Sequence, residues 1–138
     1  MPIKIDYVDG KRGVILTCTG VVTGAEVIDV NKEIYRRDET AAPLLYQLIE
    51  TDGLTGVNIS TRELHDIADQ DVAASRTIPN SVIAIYVSQD LPYALARMWQ
   101  VFVERSGWET NVFRERAEAE AWLKAEVAAR FGFTATLE

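Results

Sequence analysis

Ile3, Ile5 and Tyr7 alternate with polar residues, the period-two pattern of a strand with one wet face. Asp9-Gly10 supplies turn chemistry before a second strand, Gly13 to Thr19, so an antiparallel hairpin is expected. Thr23-Gly24-Ala25-Glu26 reads as a capping box: the Thr hydroxyl accepts from a first-turn amide, and the Glu three residues on reaches back. Val27, Ile28, Ile34 and Tyr35 then share one helical face, and this helix should fade near Asp38. Pro43 opens a third strand in which Leu44, Leu45, Tyr46, Leu48 and Ile49 leave only Gln47 polar, as in a parallel strand buried on both faces.

Asp52-Gly53 and Gly56 read as a loop, after which Ser60 or Thr61 caps a helix with an inner stripe of Leu64, Ile67, Ala68 and Val72. Ile78-Pro79-Asn80 breaks the chain, and Val82 to Val87 forms another buried strand. Asp90 and Pro92 start a third helix, Trp108 to Arg114 is the last strand, and Glu115 to about Arg130 the last helix. Phe131-Gly132-Phe133 leads into a loosely ordered tail over about 131–138. The order ββαβαβαβα predicts an α/β fold: a five-stranded, mostly parallel mixed sheet with about four helices, its first strand antiparallel. With 138 residues and no repeat or linker, residues 1–138 read as one domain.

That order resembles the SpoIIAA-like proteins, bacterial single-domain relatives of STAS domains and of the lipid-binding CRAL-TRIO fold. Trp108-Glu109-Thr110-Asn111-Val112-Phe113 followed by Glu118-Ala119-Glu120-Ala121-Trp122-Leu123 carries the resemblance. So does Asp90-Leu91-Pro92-Tyr93 with Ala96-Arg97-Met98, similar to the third-helix signature of that group, and the likeness spans about residues 3–125. It implies either a small apolar or lipid-like ligand or a phospho-switched, anti-sigma-antagonist type of interaction domain. Phosphorylatable STAS proteins carry an Asp-Ser-Ser-Gly turn at the second helix. Here Leu54 to Glu63 offers hydroxyls at Ser60 and Thr61 without the preceding Asp or following Gly. That departure weighs against a kinase-switched role: Ser60 and Thr61 are first of all candidate N-caps with Glu63, and candidate phosphorylation sites only after that.

The net charge of −7 is spread along the chain, which disfavours a nucleic-acid partner, since phosphate binding needs a basic surface. Cys18 is alone, no apolar run approaches the ~20 residues of a membrane span, and Met1-Pro2-Ile3-Lys4-Ile5 lacks a signal-peptide core. A cytoplasmic protein without a transmembrane segment is expected. His65 and Asp69 stand at i, i+4, yet His65 is the single His and falls off the apolar stripe. Asp66, Asp69 and Asp71 lack the Gly and closing Glu of a calcium loop. Ser60 has no nucleophile elbow, Cys18 no activating neighbour, and Gly20 to Glu26 neither a P-loop Lys nor a third fingerprint Gly. No catalytic set, metal or cofactor is predicted, and a non-enzymatic binding or regulatory module for a small apolar or anionic ligand is the leading expectation. A hydrolase whose groups meet from distant positions stays open.

The third helix departs from an ordinary pattern. Leu95, Met98, Trp99, Phe102 and Val103 form an inner stripe, while Leu91, Tyr93, Ala94, Ala96 and Val101 widen it. Such a helix is deeply buried, packed on another subunit, or lines a cavity. Tyr93, Arg97, Met98 and Trp99 are the candidate binding residues, with Arg97 able to pair with an acidic helix neighbour or an anionic head group. A homodimer or other protein partner would cover the surplus apolar arc, or the segment Phe131 to Leu137 would fold back over it.

Overall fold

β1 (Ile3–Val8) and β2 (Gly13–Thr23) form the expected antiparallel hairpin, its turn held by three left-handed residues, Asp9, Gly10 and Lys11. A computed structural model of the protein describes residues 2–36 and 43–137. β3 (Tyr46–Asn58), β4 (Val82–Tyr86) and β5 (Glu109–Phe113) follow in parallel, giving one sheet in the order β1-β2-β3-β4-β5. With α1 (Gly24–Tyr35), α2 (Thr61–Ser75), α3 (Asp90–Phe102) and α4 (Arg116–Phe131), this is the five-stranded mixed sheet with four helices that the element order predicts.

Alternate strand residues face opposite layers. Leu16, Cys18, Ile83 and Ile85 pack with α1, α2 and α3, whereas Ile15, Tyr46, Leu48 and Ala84 pack with α4. Both faces are covered, which explains the near-continuous apolar runs of β3 and β4. Both capping boxes form, Thr23 with Glu26 and Ser60 with Glu63.

Several boundaries differ from the sequence reading, those of β4 and β5 by a single residue. β2 runs to Thr23 rather than Thr19, and Asp52 to Gly56 is strand rather than loop. β3 pairs with β4 only through Ile49, so the ends of β2 and β3 continue past the sheet as a two-stranded ribbon reaching Thr23 and Asn58. The glycines misled because they serve the ribbon and not a turn. Gly20 takes φ +65° at a register shift in β2, and a Cβ on Gly53 would lie 2.9 Å from Thr19 Cγ2. Pro43 does not open β3: the Leu45 and Tyr46 amides both donate to the Arg12 carbonyl, and the ladder starts at Tyr46. α1 ends at Tyr35 with Arg36 as its C-cap, and the expected fading point at Asp38 lies outside the described residues.

The C-terminal tail is neither loose nor placed over α3. Ala135 and Leu137 are buried on the α4 side of the sheet, and the Thr136 amide donates to Asp9 Oδ2 at 2.9 Å. Tyr46, fully buried, donates its hydroxyl to the same oxygen at 2.5 Å. The hairpin turn thus anchors the tail, a contact between the two ends of the chain.

Candidate functional site

The ribbon, the sheet and the three helices of one layer bound a pocket of about 150 Å³. Its walls are aliphatic: Val22 and Leu54 from the ribbon, Leu16 and Ile85 from the sheet, Ile67 from α2 and Leu95 from α3. The space exists because β2 and β3 outrun β4, so α1, α2 and α3 close on a ribbon where the next strand has already ended. Among the lining residues Val27, Val57, Ile59 and Leu95 keep partial exposure. A pocket of this volume admits a group about the size of benzene, since an engineered apolar cavity of ~150 Å³ binds that molecule.

One end is polar. Asp71 of α2 is 2% exposed and accepts from the Tyr35 hydroxyl at 2.7 Å and from Trp99 Nε1 at 2.8 Å. Gln47 Nε2 donates to the Tyr35 oxygen at 2.9 Å. Asn31 Nδ2 donates to Gln70 Oε1 at 3.1 Å, and Gln70 Nε2 donates to the Ile28 carbonyl. Asn31, Gln47 and Asp71 all line the pocket. Burial pushes the Asp71 carboxyl up to about 6, with the Tyr35 and Trp99 hydrogen bonds pulling it back down. Burial, reinforced by the negative Asp71, lifts the Tyr35 hydroxyl well above its usual range, so it stays a donor. Among the described residues no cation pairs with Asp71.

Of the four candidate binding residues of the third helix, only Trp99 reaches this pocket. Tyr93 is half-buried beneath the Arg114 guanidinium, 3.9 Å from its ring centre. Arg97 is exposed and has no ion pair among the described residues, so of its two expected roles the pairing with an acidic helix neighbour is not formed here. Met98 is not on the inner stripe but 39% exposed, alongside Leu91 and Val101 at 64% and 61%. The inner stripe is Pro92, Leu95, Trp99 and Val103, spaced by three and four residues, which turns Met98 away from the core. Nothing among the described residues covers the outer side of α3, since the tail lies on the opposite face of the sheet.

Ser60 Oγ accepts from the Glu63 amide at 3.1 Å and Thr61 opens α2 beside it, both exposed. His65 stacks on Phe102 with ring centres 3.8 Å apart, and Asp69 pairs with Arg105. On the other layer one guanidinium is shared by three carboxylates: Arg116 meets Glu50 at 2.5 Å, Asp52 at 3.3 Å and Glu120 at 2.6 Å. Among the described residues no group of three or more His, Cys, Asp or Glu is placed to hold a metal ion, and no helix is long and apolar enough to cross a membrane.

Asp71 is the residue that sequence reading missed. It stands four residues after Ile67 and seven after Leu64, on the apolar stripe itself, where Val72 was expected. An acidic residue in a stripe position is the signal that was available.

The chain is similar to a solved protein of SpoIIAA-like fold. That structure is described as an uncharacterised protein of the DUF3478 family from Shewanella loihica PV-4, 18% identical over 88% of this chain and 91% of that one, with a TM-score of 0.48. No protein-family model matches the chain, and no curated protein matches it.

Cys18 offers a probe of the pocket wall. Burial pushes its thiol up to about 11, which holds it protonated. Relative to an ordinary thiol, two pH units remove about 99% of the thiolate at mildly alkaline pH. Alkylation of the folded protein by iodoacetamide should therefore run about a hundredfold slower than in the urea-unfolded chain, and comparable rates would show that Cys18 is exposed.

Proposed function

We propose that this protein is a non-enzymatic binding module that holds a small, mostly apolar ligand in the pocket beneath α1, α2 and α3. The observation that carries the reading is the pocket itself: aliphatic walls with a polar group concentrated at one end, the usual build of a small-molecule site. The groups with nucleophile or base chemistry support it by their placement. The Cys18 thiol is held protonated, and His65 is stacked outside the pocket.

Native and denaturing mass spectrometry of protein purified from its own host tests this. The expected result is extra mass that is kept under native conditions and lost on denaturation. Val30→Phe, which places a ring in the pocket from α1, should abolish that extra mass and leave the circular dichroism unchanged. Retention of the ligand in Val30→Phe would place it elsewhere. A covalent phosphate on Ser60 or Thr61 would favour the switch reading instead, since its added charge suits a helix N-terminus.

A further inference from the structure

The hydrogen-bond directions at the polar end of the pocket are determined by its network. Gln70 donates to the Ile28 carbonyl, so its own oxygen must accept, and the amide nitrogen of Asn31 must be the donor facing it. The Asn31 oxygen is left over. The Tyr35 hydroxyl gives its proton to Asp71, so its oxygen accepts from the Gln47 amide nitrogen, and the Gln47 oxygen is left over as well. Neither Asn31 Oδ1 nor Gln47 Oε1 has a hydrogen bond among the described residues, although the two side chains' residues are 6% and 2% exposed.

These groups lie close together. The Gln47 amide and the Asp71 carboxylate both bond the one Tyr35 oxygen, and Asn31 lies one turn before Tyr35, bonded to the residue next to Asp71. The pocket end thus carries two amide oxygens without a donor, each on an amide whose second N–H is also unused among the described residues, and a carboxylate with no cation, which sets the sign of the site's charge. Buried acceptors are costly unless a donor reaches them.

We propose, building on the binding reading above, that the ligand is a small amine bound as its ammonium, with its charged head at Asn31, Gln47 and Asp71 and an apolar body in the aliphatic pocket. Three acceptors match the three N–H groups of a primary ammonium. The carboxylate supplies the opposite charge, and the same carboxylate disfavours an anionic head.

Calorimetric titration near neutral pH with benzylamine, benzyl alcohol, toluene and benzoate tests the proposal. The four share a benzene-sized body and differ in the head. Benzylamine should bind at least about tenfold more tightly than benzyl alcohol or toluene, and benzoate should not bind. Asn31→Leu, which keeps the size and removes the oxygen, should weaken benzylamine about tenfold and leave toluene nearly unchanged. Asp71→Asn should abolish the preference for the amine. If toluene or benzyl alcohol binds as well as benzylamine, the amine inference is overturned while the pocket reading stands. If none of the four binds and Val30→Phe leaves the host-derived ligand in place, both fall.

Discussion

Asp71→Ala is expected to destabilise the protein by about 2–5 kcal/mol, because truncation strands two buried donors at about 1–3 kcal/mol each. Those donors are the Tyr35 hydroxyl and the Trp99 indole N–H, which tie α1 and α3 to α2 through one carboxyl group. The loss should depend on pH, with a definite sign. Asp71 has its pKa raised from 3.8 to about 6 in the folded state, so between these values the native protein binds more protons than the unfolded chain. Wild-type stability from this group therefore falls as pH rises, being greatest below 3.8 and fully reduced above about 6. Asp71→Ala lacks that titration, and its deficit should shrink by about 1.5 kcal/mol between roughly pH 5 and pH 7.5. Urea denaturation of both proteins at the two pH values measures this, and the difference cancels titrations they share. A deficit that grew with pH would show that Asp71 is stabilised as a carboxylate.

Gly13→Ala should cost about 2–4 kcal/mol, although its backbone conformation suits any residue. The added methyl carbon would lie 2.1 Å from Cζ of Tyr46, which faces it across the β2–β3 ladder. Tyr46 is fully buried, and its hydroxyl is held by Asp9, so the ring has nowhere to go without breaking a charge-assisted hydrogen bond. Displacing the ring also loosens Asp9, which holds the tail at the Thr136 amide. Thermal unfolding should show the loss, and hydrogen exchange should show faster exchange at Thr136. In a Tyr46→Leu background the same substitution should cost much less, since the two residues are in direct contact and their effects couple. Equal costs in both backgrounds would remove the steric explanation.

Element type and order were legible because period and caps are local properties. Ser60 with Glu63 and Thr23 with Glu26 mark their helices within four residues, and the apolar runs around Leu48 and Ile83 report burial on both faces. The ribbon was not legible. Gly53 and Gly56 are turn residues by composition, and they belong to a strand only because Thr19 to Thr23 lies alongside. The candidate site was legible in one residue of four, Trp99, whereas its polar end depends on Asp71, which reads as one more acid on an acidic helix until its position in the stripe is weighed.

The chain's own pattern determined the strands, the capped helices and the parallel sheet, because each follows from contacts within a few residues or from how much apolar surface an element must bury. Tertiary structure decided the rest. How far β2 and β3 outrun β4 sets whether a pocket exists at all, and which side of α3 turns inward selects Trp99 over Met98. Register and rotation of this kind are set by packing between segments far apart in sequence, so Asn31, Gln47 and Asp71 acquire a common role only when three elements meet.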